Sequence, residues 1–166
     1  MITLQPILSA IDSCSSNLSV PPGMEQKAIL AAITLPETNW GERWQAGLFE
    51  AAYYRGGKWY NAAHVRKAVQ QYESLASCSY GPWQLLYISA LELGYSGHPT
   101  GLMDPAVSCP FVVKYLNTRC KNPTRPEDYA DAYNSGTNTD RFIPVDYTRI
   151  FMEGYQEALA HYDGRT

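Results

Sequence analysis

A chain of 166 residues is the size of one domain and is long enough to bury a core without metal or disulfide support. Its formal charge of −3 lacks the basic balance that broad nucleic-acid binding requires, and it gives no long-range attraction to anionic membranes or polymers. No stretch approaches the ~20 apolar residues of a membrane span. Thirteen tyrosines and four tryptophans supply flat faces with polar handles, which suit carbohydrate surfaces and ordinary cores alike.

The opening stretch, MITLQPILSAIDSC, lacks a positively charged n-region and carries Asp12, so it is not read as a secretory signal. Residues 1–22 read as a segment that packs on, or leads into, a single domain spanning 1–166. After SVPPG, the run MEQKAILAAITL sets Ala28, Ile29, Ala32 and Ile33 at helical spacing. Pro36 disfavours helix at Leu35, so this helix is expected to end or distort just before Glu37. A short helix is read over 43–54, followed by the turn RGGKWYN, with a short hairpin around 53–60 as the one candidate β element. Asn61 can cap a helix to about Ala76 with Val65, Ala68, Val69 and Tyr72 on one face. SCSYG is a turn, and the next helix is expected from about Pro82 to Leu93, ended by Gly94. Asp104 caps a helix with Pro105 in its first position, running to about Cys120 with a distortion at Pro110. A short helix covers 126–134 and stops at NSG. The last begins near Pro144, with Tyr147, Phe151, Tyr155, Leu159 and Tyr162 along one face. The expected class is therefore all-α with at most a minor β element.

Cys14, Cys78, Cys109 and Cys120 contain no C-x-x-C pair, which disfavours a zinc site. If Cys109 and Cys120 share one helix, roughly 16 Å of rise separates them, too far for a bridge. Any bridges would then join Cys14 and Cys78 to those two; buried free thiols are the default expectation.

Four places can carry chemistry. Glu37, in LPETNW, follows a buried helix and lies near Trp40. Partial desolvation there would raise its pKa towards that of a general acid near neutral pH; otherwise it is a surface loop glutamate. Glu50, in GLFEAAYY, is either the second carboxylate of an acid–base pair or a structural glutamate paired with Arg43 or Arg55. In Ser79-Tyr80-Gly81-Pro82-Trp83-Gln84, Gly81 permits close backbone approach and Gln84 offers donor and acceptor to a sugar, unless the segment is only an interhelical turn. In DAYNSG, Asn134 and Gly136 stop a helix, or Tyr133 and Asn134 face a ligand. His64, His98 and His161 are isolated and form no H-E-x-x-H pattern. No phosphate-cradling glycine loop or G-x-S-x-G elbow occurs, and no cofactor or metal is expected.

Taken in order, these pieces resemble the lytic transglycosylases of the lysozyme-like superfamily, which includes soluble lytic transglycosylases and goose-type lysozymes, and especially short phage-type forms. The family pattern is a Glu-Ser pair, then Gly-Leu-Met-Gln, then Ala-Tyr-Asn-Ala-Gly. It is matched here by Glu37-Thr38, by Gly81-Pro82-Trp83-Gln84 and by Ala132-Tyr133-Asn134-Ser135-Gly136. LMDPAVSCPFVVKYL resembles the family's Asp-Pro helix ending in Tyr-Leu, and the resemblance covers about 24–160. Thr38 for serine, Pro36 before the glutamate, Pro82-Trp83 for Leu-Met and a longer stretch between Glu37 and Ser79 are departures. Phe49-Glu50 resembles a Phe/Tyr-Glu step of some phage-type members.

The resemblance implies a helical domain with a saccharide-binding cleft that cleaves the β-1,4 bond between N-acetylmuramic acid and N-acetylglucosamine in peptidoglycan. Glu37 would be the general acid and base, and the product a 1,6-anhydro sugar. Glu50, Ser79, Gly81, Trp83, Gln84, Tyr133, Asn134 and Tyr147 would contact the glycan. A hydrolase of the same bond using Glu50, and a wall-binding module without activity, are the alternatives. The expected partners are peptidoglycan glycan strands and proteins of a virion or secretion machine. The expected place of action is the bacterial wall, reached through a virion, a lysis system or a secretion system.

Overall fold

A computed structural model describes residues 5–44, 47–139 and 144–164. The chain is mostly helical: α1 Gln5–Cys14, α2 Gln26–Thr38, α3 Ala63–Tyr72, α4 Tyr87–Glu92, α5 Pro105–Arg119, α6 Glu127–Ser135 and α7 Val145–Tyr162. Two two-residue strands, β1 Ser79–Tyr80 and β2 Leu85–Leu86, form an antiparallel pair.

The centre is α2. Every residue from Ala28 to Thr34 is buried, so this helix is apolar all round rather than striped. Helix α7 packs along it. A Cβ on Gly154 would lie 3.2 Å from Leu35 Cδ2 and 3.3 Å from the Trp40 ring, so the missing side chain lets the two helices approach closely. Phe151 and Tyr155 of α7 are buried, and Tyr147, Leu159 and Tyr162 pack against the same core.

Helix α1 was expected only as a packing or leading segment. It is amphipathic, burying Ile7, Ala10, Ile11 and Cys14, and it packs on α5. Cys14 and Cys109 form a disulfide between these helices, which corrects the expectation of free thiols at both positions. Cys78 and Cys120 are free.

Helix α2 continues through Pro36 to Thr38, two residues past the expected end. Proline removes one N–H in the last turn, and the end is set instead by Asn39 in the left-handed region, with Trp40 N–H returning to the Thr34 carbonyl. In α3 the capping position is Ala62 without a side-chain bond, not Asn61. Helix α5 keeps its expected start: Asp104 accepts from Ala106 N–H at 2.9 Å, and the helix runs through Pro110 to Arg119.

Three segments differ from expectation. The stretch 43–54 holds only a single 3-10 turn at Ala51–Tyr53, with residues 45–46 lying outside the described set. No hairpin forms over 53–60; Trp59 N–H bonds the Ala52 carbonyl across a chain of turns. The β-pair lies at 79–86 instead, and the helix expected from Pro82 begins only at Tyr87.

Candidate active site

The β1–β2 turn explains the late start of α4. Gly81 at φ 75° and Gln84 at φ 49° both occupy the left-handed region, through which a right-handed helix cannot propagate. Gln84 N–H closes the turn on the Gly81 carbonyl. A Cβ on Gly81 would overlap the Leu102 carbonyl oxygen. Glycine here serves close packing against the 99–103 segment, and Gly81 is not among the residues lining the cavities described below.

Within the turn, Trp83 and Gln84 part company. Trp83 is 0 % exposed and its Nε1 donates to the Leu30 carbonyl of α2 at 2.8 Å. The expected glycan contact at Trp83 is therefore corrected: the indole is a core anchor. Gln84 turns outward. Its Oε1 accepts from Ser79 Oγ at 3.1 Å and its Nε2 donates to the Gly81 carbonyl at 2.9 Å. The segment Gly47–Glu50 runs beside β1, with Gly47 N–H on the Ser79 carbonyl and Glu50 N–H on the Ser77 carbonyl. A Cβ on Gly47 would overlap Gln84 Oε1 and crowd Ser79, so this edge is tight against the amide.

Glu37 stands in the last turn of α2, over this floor. Its neighbour Thr38 is buried and donates to the Pro82 carbonyl at 2.7 Å, while accepting from Gly41 N–H at 3.0 Å. That bridge fixes the end of α2 to the 81–84 turn. From α7, the Tyr147 hydroxyl donates to Glu37 Oε1 at 2.7 Å. From α6, the Tyr133 hydroxyl donates to the Trp83 carbonyl at 2.6 Å. The Tyr133 hydroxyl is thus engaged with backbone, and its ring contributes to the wall.

Two open cavities meet here. One, of about 790 Å³, is lined by Glu37, Glu50, Ser79, Gln84, Tyr133 and Asn134 among others. The other, of about 530 Å³, is lined by Glu37, Arg43, Gln84, Asn134 and Tyr147. Glu37, Leu48, Gln84 and Asn134 border both, so an elongated ligand lying across the two would pass the carboxyl at an interior point. Burial raises the Glu37 pKa to about 7, against the opposing effect of the Tyr147 hydrogen bond. The Tyr133 and Tyr147 hydroxyls are pushed well above the ordinary tyrosine range by burial first and by the Glu37 charge second. The arrangement provides one carboxyl that is close to half protonated at neutral pH, held by a phenol and open to two cavities.

Of the residues expected in the site, Glu37, Glu50, Ser79, Gln84, Tyr133, Asn134 and Tyr147 border these cavities, whereas Gly81 and Trp83 do not. Arg55 pairs with Glu73 at 2.7 Å rather than with Glu50. Sequence reasoning missed Tyr53, Trp59, His64, Glu92, Tyr115 and Arg119, which line the larger cavity. Trp59 in its glycine-rich turn was the one available signal; the others are dispersed along the chain. Among the described residues, no group of three or more His, Cys, Asp or Glu side chains could hold a metal ion, and no helix is long and apolar enough to cross a membrane. Comparisons with protein-family models, curated proteins and solved structures gave no match.

Proposed function

We propose that this protein is a lytic transglycosylase that cleaves the β-1,4 bond between N-acetylmuramic acid and N-acetylglucosamine in peptidoglycan, in a lysozyme-like helical domain. The observation that carries the reading is the placement of Glu37, a carboxyl with a pKa of about 7 at the junction of two open cavities. A general acid is most effective with its pKa near the working pH. An elongated polymer, rather than a compact ligand, suits two cavities that meet at the reactive group.

Protonated Glu37 donates its proton to the glycosidic oxygen as the C1–O4 bond breaks. The acetamido oxygen of the muramyl sugar stabilises the developing cation at C1. The Glu37 carboxylate then takes the proton of the C6 hydroxyl while O6 bonds to C1, giving the 1,6-anhydro ring and restoring the acid. No second carboxylate is required, unlike the usual glycosidase scheme. Tyr147 orients the acid, and Gln84, Ser79 and Asn134 supply donors and acceptors along the groove. The Cys14–Cys109 disulfide supports action outside a reducing cytoplasm, in keeping with delivery to the wall by a virion, a lysis system or a secretion system.

A hydrolytic variant is favoured by one observation: Glu50 borders the same cavity as Glu37 and could activate water. Incubating purified peptidoglycan with the wild type and with Glu37→Gln, and weighing the soluble products, separates the readings. Anhydro-muramyl products from wild type only are expected. Hydrated reducing ends from wild type only would move the reaction to hydrolysis and bring Glu50 forward. Binding of glycan by both forms with no release would make the domain a wall-binding module.

A further inference from the structure

Residues 51–60 bring Tyr53 and Trp59 to the larger cavity, yet none of the ten is buried. Among the described residues, the backbone bonds donated by 53–60 all end on carbonyls within 50–57. A Cβ on Gly57 would overlap the Ala51 carbonyl oxygen, so the turns pack tightly on themselves. A stretch closed by its own bonds, with little buried surface, is suited to move as one body. Besides its continuation into α3, it is attached at two places. At one, Gly47–Glu50 pairs with 77–79, and Phe49 bridges Cys78. At the other, Arg55 Nη2 donates to both oxygens of Glu73, at 2.9 and 2.7 Å, and the Tyr54 hydroxyl donates to Oε2 at 3.3 Å. The Phe49 and Tyr54 rings meet edge to face at 5.3 Å, which couples the two attachments. Tyr53, Tyr54 and Tyr60 add half-buried packing against the core.

The attachment at Glu73 is strained. Glu73 ends α3 at φ 52° and ψ −134°, a conformation that glycine takes freely and side chains avoid. Such strain persists where neighbouring contacts hold it, and here those contacts are Arg55 and Tyr54 on the carboxylate. The Arg55 and Glu73 side chains are 57 % and 60 % exposed, and an ion pair this open to water contributes little. Backbone strain on one side and a weak ion pair on the other leave this attachment near balance, which suits a latch rather than a permanent brace. Leu48 and Trp59 both border the larger cavity and are 74 % and 48 % exposed. Apolar side chains left in water at a cavity wall gain burial when the stretch that carries them settles on an occupant.

We infer that residues 51–60 are a strap hinged on the pairing of 47–50 with 77–79 and held back by an Arg55–Glu73 latch, and that opening of the latch frees the strap to settle on an elongated ligand in the larger cavity, burying Leu48 and Trp59. The latch is independent of the chemistry at Glu37. That the ligand is a glycan strand rests on the peptidoglycan reading of that site.

Amide hydrogen exchange read by mass spectrometry compares the wild type with Arg55→Gln, Glu73→Gln and Glu73→Gly. All three break the latch, and the glycine also relieves the backbone. The expected result is exchange about tenfold faster over 51–60 in each variant, with α2 and α5 unchanged. Glu73→Gly should have a higher Tm than Glu73→Gln. Sodium chloride at about 1 M should loosen the wild-type strap in the same way, and should add nothing in Arg55→Gln. A second measurement titrates a soluble tetrasaccharide of the peptidoglycan glycan into Glu37→Gln, with and without Arg55→Gln, by calorimetry. The unlatched protein should bind about threefold more tightly, because the latch no longer opposes the closed state, and the bound sugar should slow exchange over 51–60. Unchanged exchange over 51–60 in Arg55→Gln and Glu73→Gln would overturn the latch. A lower Tm in Glu73→Gly than in Glu73→Gln would remove the strain that balances it. Weaker sugar binding in Arg55→Gln, or a bound sugar that leaves 51–60 unprotected, would overturn the closure. A loosened strap in the variants with no sugar binding at all would sink the peptidoglycan reading and keep the latch.

Discussion

Under the proposed reaction, the Glu37 carboxyl joins stability and reactivity in one group. Burial raises its pKa from 4.5 to about 7. Below pH 4.5 the side chain is protonated in both folded and unfolded chains and contributes no difference. Between 4.5 and 7 the unfolded chain ionises first, so folded stability falls as pH rises, and above 7 the full cost of an ionised buried carboxyl is present. That cost is about 3 kcal/mol. Glu37→Gln keeps an oxygen to accept from Tyr147 and carries no charge. It should match the wild type near pH 4 and become more stable than it as pH rises to 8, and under the proposed function cleavage should fall by about a hundredfold or more. Thermal unfolding of both proteins at the two pH values checks this, and a destabilised variant at pH 8 would mean that the ionised carboxylate is structural. Tyr147→Phe probes the opposing influence. The phenol donates to Glu37 at 2.7 Å and favours the ionised form, so its loss should move the alkaline limb of the kcat/KM profile to higher pH. Looser orientation should also lower kcat by about tenfold. A pH profile that stays in place would remove Tyr147 from the positioning of the acid.

At the scale of elements, the site depends on two endings that the sequence signals incompletely. Pro36 suggested the end of α2, because proline restrains its predecessor and lacks an N–H. Yet a single missing hydrogen bond in a last turn is outweighed when the following residue has a buried partner. Thr38 has one: its hydroxyl spans from the Pro82 carbonyl to Gly41 N–H, a contact across forty-four positions that no local pattern reveals. The apolar run after Pro82 likewise read as helix, although positive φ at Gly81 and Gln84 makes it a turn. Glycine can signal such a turn, but glutamine does not. Helices α2, α5 and α7 were legible, the first from its apolar run, the second from its cap at Asp104 and the third from its apolar face, as was the stop at Gly136. Glu37, Gln84 and Asn134, singled out from their motifs, border the cavities; they stand in the last turn of α2, in the turn before α4 and near the end of α6. Trp83 misled because a buried indole and a sugar-stacking indole look the same in sequence. His64, Glu92 and Arg119 were invisible because α3, α4 and α5 bring them together only on folding. Thr38→Val keeps the shape and deletes the bridge. It leaves a buried carbonyl and an amide without their partner, and it should cost about 2 kcal/mol by urea denaturation; under the proposed function it should also reduce cleavage through a loosened floor. Wild-type stability in this variant would show that packing alone fixes the turn to α2.

At the scale of the whole molecule, α1 is the element with two kinds of attachment. Ile7 and Ile11 are fully buried against the core, and Cys14 is bonded to Cys109 of α5 across ninety-five positions. Closing a loop of that length restricts the unfolded chain, and the chain-entropy account assigns it about 4–5 kcal/mol, with measured values commonly about 2–5. Neither cysteine borders the Glu37 cavities. Replacing both by serine should therefore lower Tm distinctly, while kcat/KM of the proposed reaction at 25 °C should remain that of the wild type. Both half-cystines are almost wholly buried, at 4 % and 0 % exposure, so a reductant reaches them only when α1 opens. Under dithiothreitol, the rate at which this bridge becomes alkylatable should follow the local opening of α1, and reduction should be slow compared with that of an exposed disulfide. Half-buried Cys78 should label first and buried Cys120 later. Rapid reduction with no fall in Tm would mean that Ile7 and Ile11 carry the attachment and that α1 opens without disturbing the core. Slow reduction followed by a fall in Tm would make α1 part of the cooperative unit that supports the Glu37 site.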